Sequence, residues 1–159
     1  QYIIDPWLLL ASRFNLGATF VVIISGAFVA GLNAGQIYNT FPLMNGEIIP
    51  TGLYDLNPWY LNWFENVMTV QFNHRVLAIT LVTIITMSWW RIITNNYPAK
   101  IKKLACCLLV GVLIQASLGV ATLLLIAPKW LALVHQTTGL ILFTLAIAIA
   151  SQLNSSYKR

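Results

Sequence analysis

Apolar residues fall along this chain in four long blocks, separated by one long and two short polar stretches. The blocks are roughly Leu16–Ala34, His74–Ile93, Leu104–Ile126 and Leu131–Gln152. Each can cross a hydrocarbon core, which takes about 20 helical residues. Backbone amides in lipid have to be paired within their own segment, so each block predicts a helix. The expected fold class is all-α, an integral membrane four-helix bundle forming one domain over residues 1–159.

The joins are unequal. Between the first two blocks lies a loop over residues 36–73, too long to read as mere linker. Its segment Tyr38-Asn39-Thr40-Phe41-Pro42-Leu43-Met44-Asn45-Gly46 is rich in turn formers and ends in Asn-Gly. Further on, Asn57-Pro58 predicts a helix start, with Asn57 as cap and Pro58 at the first helical position. Trp59 to Phe64 then suits a short helix on the membrane surface. Such a loop serves equally as a lid or as an interfacial anchor. Pro98 and the Lys100–Lys103 cluster make the second turn, and Ala127-Pro128-Lys129 the third.

Composition agrees with a membrane solvent. The chain has 159 residues, of which 58% are apolar and 8% charged, where soluble domains carry about 25% charged residues. It opens on Gln1, which reads as a piece or a processed product. The formal charge of +5 does not point to nucleic acid, because the basic residues sort by side. With alternating crossings, Arg13, Arg91, Lys100, Lys102, Lys103, Lys158 and Arg159 share one side, and only Arg75 and Lys129 the other. The basic side is then cytoplasmic, or matrix in a mitochondrion, and holds both termini. Trp7, Trp89 and Trp90 fall at the inner boundary and Trp59, Trp63 and Trp130 at the outer one, as an aromatic belt requires. The lipid bilayer is the first partner implied. Cys106 and Cys107, adjacent within an apolar block, read as small packing residues. Ala27, Gly31 and Gly35, spaced by four, read as a smooth stripe for helix packing. On the third helix Gln115, Ser117, Gly119 and Thr122 are expected to face the bundle.

The candidate chemistry rests on the two histidines the chain contains, His74 and His135. Each stands about one turn inside the outer end of a helix, and the two helices run parallel. An imidazole at that depth needs a partner or a metal, since lipid offers none. Zinc and copper take three or four ligands, and the blocks offer no acid and no third histidine. A bis-histidine haem needs one axial nitrogen from each of two helices, and is the better fit. Ala78 and Gly139, one turn beyond each histidine, would leave clearance for a porphyrin face. Gln71, Asn73 and Gln136 are candidates to bond the ring nitrogens. Arg75 could pair with a haem propionate or snorkel into water. A histidine pair bonded between helices without metal is the bland alternative.

Several blocks of residues carry a resemblance. Gly26 to Gly35, Tyr38 to Met44, Val70-Gln71-Phe72-Asn73-His74-Arg75, Gln115 to Leu123 and His135-Gln136 resemble the haem A synthase family, of the alphaproteobacterial and mitochondrial type. That family has two four-helix repeats, and this chain resembles the second, carboxy-terminal one. The resemblance implies haem b, with its iron, between His74 and His135, and a place in the bacterial cytoplasmic or mitochondrial inner membrane. The whole enzyme would oxidise a methyl group of haem O to the formyl of haem A for terminal oxidase. Its partners would be the amino-terminal half, haem O synthase or an electron donor, and a second copy in a homo-oligomer. Gln71 stands where the other repeat has a functional glutamate, so this half alone is expected to be inactive. A b-type cytochrome subunit relaying electrons from quinol stays open as an alternative, as does a scaffold whose histidines bind nothing.

Overall fold

The computed structural model describes residues 5–157. Its four long helices are α1 (Pro6–Gly31), α2 (Val67–Thr94), α3 (Ala99–Leu124) and α4 (Lys129–Tyr157). All four are long and apolar enough to cross a membrane. Lys158 and Arg159, counted above on the inner side, lie outside the described residues.

The first two helices begin before their apolar blocks because polar side chains cap them. Asp5 accepts from the Trp7 backbone N–H at 2.9 Å, and Pro6 follows at the first helical position. That combination starts α1 ten residues before Leu16. Asn66 does the same for α2, accepting from the backbone N–H groups of Met68 and Thr69 at 3.0 and 3.1 Å. The histidines therefore stand deeper than expected. His74 is seven residues beyond Val67 and His135 six beyond Lys129, about two turns rather than one.

Packing follows a square. α1 lies against α2 and α4, and α3 lies against the same two, so α2 and α4 face each other across the diagonal. Mid-bundle, Leu81, Ile85, Leu108, Val112, Leu142 and Ala146 interlock. At the end predicted to be inner, Leu8, Leu9, Ile92, Ala105 and Leu153 close the bundle, with Trp7, Trp89 and Tyr97 packed around them. The Tyr97 hydroxyl donates to Asp5 Oδ2 at 2.7 Å, and Arg91 stacks on the Trp7 ring at 4.1 Å. Outward-facing side chains such as Met87, Leu140 and Ile141 are exposed; in a bilayer they meet lipid. Cys106 and Cys107 also face outward rather than packing inside. Cys106 Sγ accepts from Trp89 Nε1 at 3.3 Å.

The long join is a folded cap spanning residues 32–66. Asn45 and Gly46, at φ 54° and 89°, turn a small hairpin closed by Met44 and Glu47. Trp59–Trp63 form a short 3-10 turn whose cap is Pro58, not Asn57; the Asn57–Pro58 peptide is cis. Asn62 is fully buried and bonds the backbone of Leu56 and Trp59. Thr69 Oγ1 on α2 donates to the Leu53 carbonyl. Asn39 Nδ2 donates to the carbonyls of Gly35 and, on α3, Leu123, at 2.6 and 2.8 Å. The Phe28 and Phe64 rings meet edge to face at 5.4 Å. These bonds tie the cap to the ends of three helices.

Candidate functional site

His74 projects from α2 against α1. A Cβ added at Gly26 would stand 3.1 Å from the His74 Cε1 atom, tight enough that the ring would have to give by a few tenths of an ångström. Beside it, Ser25 Oγ lies 2.8 Å from His74 Nδ1 and 2.7 Å from the Val22 carbonyl. His135 projects from α4 against α3 in the same way. A Cβ at Gly119 would stand 3.0 Å from its Cε1 atom. Two helix pairs thus repeat one device, a glycine that admits an imidazole from the neighbouring helix.

Of the two positions expected to clear a porphyrin face, Gly139 faces a side chain of α3. A Cβ at Gly139 would meet Gln115 Nε2 at 3.0 Å, so that glycine makes room for a glutamine. Gln115 in turn donates to the His135 backbone carbonyl at 2.9 Å and accepts from Thr138 Oγ1 at 2.7 Å. Within the proposed small-residue stripe, Gly31 has nothing within 4 Å. Gly35 approaches the Ala127 side chain, at 3.2 Å from an added Cβ. Ser117 is exposed and bonds its own helix at Leu113, whereas Gln115 and Gly119 do face the bundle.

The ring-bonding candidates also change. Ser25, on a different helix, meets the His74 nitrogen, and Gln71, Asn73 and Gln136 do not. Gln71 is 2% exposed and donates to the Ala34 carbonyl at 2.8 Å. Gln136 is exposed. No sequence pattern within α2 could have named Ser25, because the contact spans 49 residues.

Arg75 fastens the cap. Its Nη1 donates to the Thr40 carbonyl at 2.7 Å, and its Nη2 to the Tyr38 carbonyl at 2.6 Å and Gln71 Oε1 at 3.0 Å. Its Nε is buried without a partner. The motif around Tyr38 thus supplies backbone acceptors rather than side-chain chemistry.

Could these residues hold an iron porphyrin through two imidazoles? Two observations fit. His74 and His135 stand seven and six residues into diagonal helices, each against a glycine of the neighbouring helix. Among the described residues, no three histidine, cysteine or acidic side chains converge as a zinc site would need.

Fold and site together define a membrane-spanning four-helix bundle with one histidine on each of two diagonal helices. A family model described as "Cytochrome oxidase assembly protein" (COX15-CtaA) matches residues 6–147, and the chain belongs to that family. The heme A synthase of Nitrosospira multiformis is 46% identical over 136 residues, 84% of this chain and 38% of that protein. That of Wolbachia pipientis wMel is 51% identical over 136 residues, 83% of this chain and 37% of that one. Heme A synthase COX15 of Homo sapiens is 42% identical over 137 residues, 86% of this chain and 33% of its own length. The chain therefore spans well under half the length of these relatives. No solved structure matches it.

Proposed function

We propose that the chain is the haem b-binding half of a haem A synthase, in which His74 and His135 would hold the iron of one haem. The observation that carries this is the paired cradle, Gly26 against His74 and Gly119 against His135. Bound there, the haem would supply one-electron redox chemistry. The protein's own part is to hold the two imidazoles, exclude water and close the outer end. Arg75 holds the cap over that end through the Thr40 and Tyr38 carbonyls, and is the cation a propionate would meet there. The partners are the lipid bilayer and an amino-terminal half that handles haem O.

Two neutral imidazoles would leave the iron no open position. Among the described acids Asp5 caps α1, while Glu47, Asp55 and Glu65 lie in the cap, outside the long helices. No carboxylate stands within a span as a proton acceptor. The chain alone therefore binds haem without making haem A. The test supplies haem O, reductant and oxygen to the purified chain, with and without the amino-terminal half, and follows products by chromatography and mass. Formyl or hydroxylated product from the chain alone would overturn the assignment.

Orientation completes the reading, with the cap outside and the Lys100–Lys103 turn cytoplasmic or matrix-facing. In a background lacking Cys106 and Cys107, Ile48→Cys and Lys100→Cys should label from opposite faces of sealed vesicles. Both positions are exposed. Labelling from one face would overturn the topology.

A further inference from the structure

We propose that Ser25 is the positioning residue of His74, fixing which nitrogen of that ring is free to bind iron. This rests on the functional reading above. The Ser25 hydroxyl has one proton and two neighbours, the Val22 carbonyl at 2.7 Å and His74 Nδ1 at 2.8 Å. A carbonyl oxygen only accepts, so the contact to Val22 is a hydrogen bond only when the hydroxyl proton points there. With the proton there, the second contact is a hydrogen bond only if His74 Nδ1 carries a proton and donates it to Ser25 Oγ. That leaves the lone pair on Nε2, the nitrogen farther from the anchor, and locks the ring about its χ angles. A ligating histidine held in this way is the more basic for it, because the donated proton shifts electron density into the ring.

His135 makes the same close contact with a glycine but has no serine beside it. Gly119 admits His135 as Gly26 admits His74. The residue before Gly119 is Leu118, where Ser25 precedes Gly26. His135 Nδ1 is correspondingly buried and unpartnered. Equal cradles and unequal polar support make the two imidazoles unequal ligands, with His74 the stronger donor of electron density. Gly26 belongs to the same device, since a Cβ there would stand 3.1 Å from the His74 Cε1 atom and crowd the ring beside the serine.

Alanine is at home in a membrane helix, so Ser25→Ala removes the hydroxyl with the helix kept. The haem b-loaded chain is compared with Ser25→Ala, Ser25→Thr and Ser117→Ala. Three readouts are taken: haem dissociation, midpoint potential and the g-anisotropy of the low-spin electron paramagnetic resonance signal. Ser25→Ala should weaken haem retention about 10–100-fold, raise the midpoint potential and alter the g-values. Ser25→Thr, which keeps the hydroxyl, should restore all three. Ser117→Ala, whose hydroxyl bonds only its own helix, should leave them unchanged. The inference is overturned if the unaltered chain holds a low-spin haem and Ser25→Ala matches it in every readout. It is equally overturned if Ser117→Ala shifts the readouts as far as Ser25→Ala. If the unaltered chain takes up no low-spin haem, the functional reading falls and this one with it.

Discussion

The surroundings of His74 and His135 agree in shape and differ in polarity. Added Cβ atoms at Gly26 and Gly119 would approach the two rings to 3.1 and 3.0 Å, so the helix pairs α1–α2 and α3–α4 make nearly the same close contact. Around that contact everything polar differs. His74 has Ser25 on its ring and is followed by Arg75, which holds the cap. His135 has a bare Nδ1, a backbone carbonyl tied to Gln115, and an exposed Gln136 after it. Helix packing in lipid has no hydrophobic drive between helices and relies on close fit. The fit therefore repeats while the hydrogen bonds are free to specialise, one side for anchoring and the other for a ring held by shape.

That comparison breaks most sharply at the histidines themselves. His74→Ala or His135→Ala should each abolish the six-coordinate low-spin spectrum, leaving a high-spin or haem-free chain in absorption spectra. Next come the cradles. Gly26→Val and Gly119→Val place a branched side chain where a Cβ alone already crowds a ring carbon at 3.1 and 3.0 Å, and should weaken haem retention roughly 10–100-fold, as loss of ligand orientation does. Gly17→Ala and Gly31→Ala, where nothing lies within 4 Å, should retain haem as the unaltered chain does. If the shape is truly shared, the two valine variants lose similar amounts. Arg75→Gln removes hydrogen bonds on the His74 side alone. It should speed amide hydrogen exchange in residues 38–47 and leave the α3–α4 end unaffected.

The smallest effect lies at the far end of the bundle and provides a pH control for the site. The Tyr97 hydroxyl, then the Trp7 N–H, hold the Asp5 carboxyl below its usual range. A depressed carboxylate contributes stability above its unfolded pKa of about 3.9 and loses it as pH falls through the lower folded value. Acid should therefore loosen the Asp5–Tyr97 end first, and Asp5→Asn should flatten that dependence below about pH 4. Exchange rates at residues 6–10 and 97–101, followed from pH 6 downward, check it.

Much of this was legible in the residues. Hydropathy finds the part of a helix that must avoid water, and the four spans and the two matching histidines follow from it. Helix ends were harder to read, since Asp5, Asn66 and the turns they start lie beyond the apolar blocks. The contacts of Gly26 and Gly119 with the imidazoles, and of Gly139 with Gln115, join different helices, and spacing along one helix does not reveal them, because in a four-helix bundle a side chain pointing inward meets its neighbours. The role of Ser25 was hidden for the same reason, as an unremarked polar residue inside a span. Arg75 stood out by its place beside His74, but its hold on the Tyr38 and Thr40 carbonyls depends on how the cap folds back.

The central claim, that one iron joins His74 to His135, is tested most directly by titrating the purified chain with haem b under paired optical and magnetic readout. Saturation is expected at one haem per chain, with a low-spin bis-imidazole electron paramagnetic resonance signal and no high-spin fraction at the endpoint. Saturation at two haems per chain, or one haem that stays high-spin with a single imidazole, would contradict it.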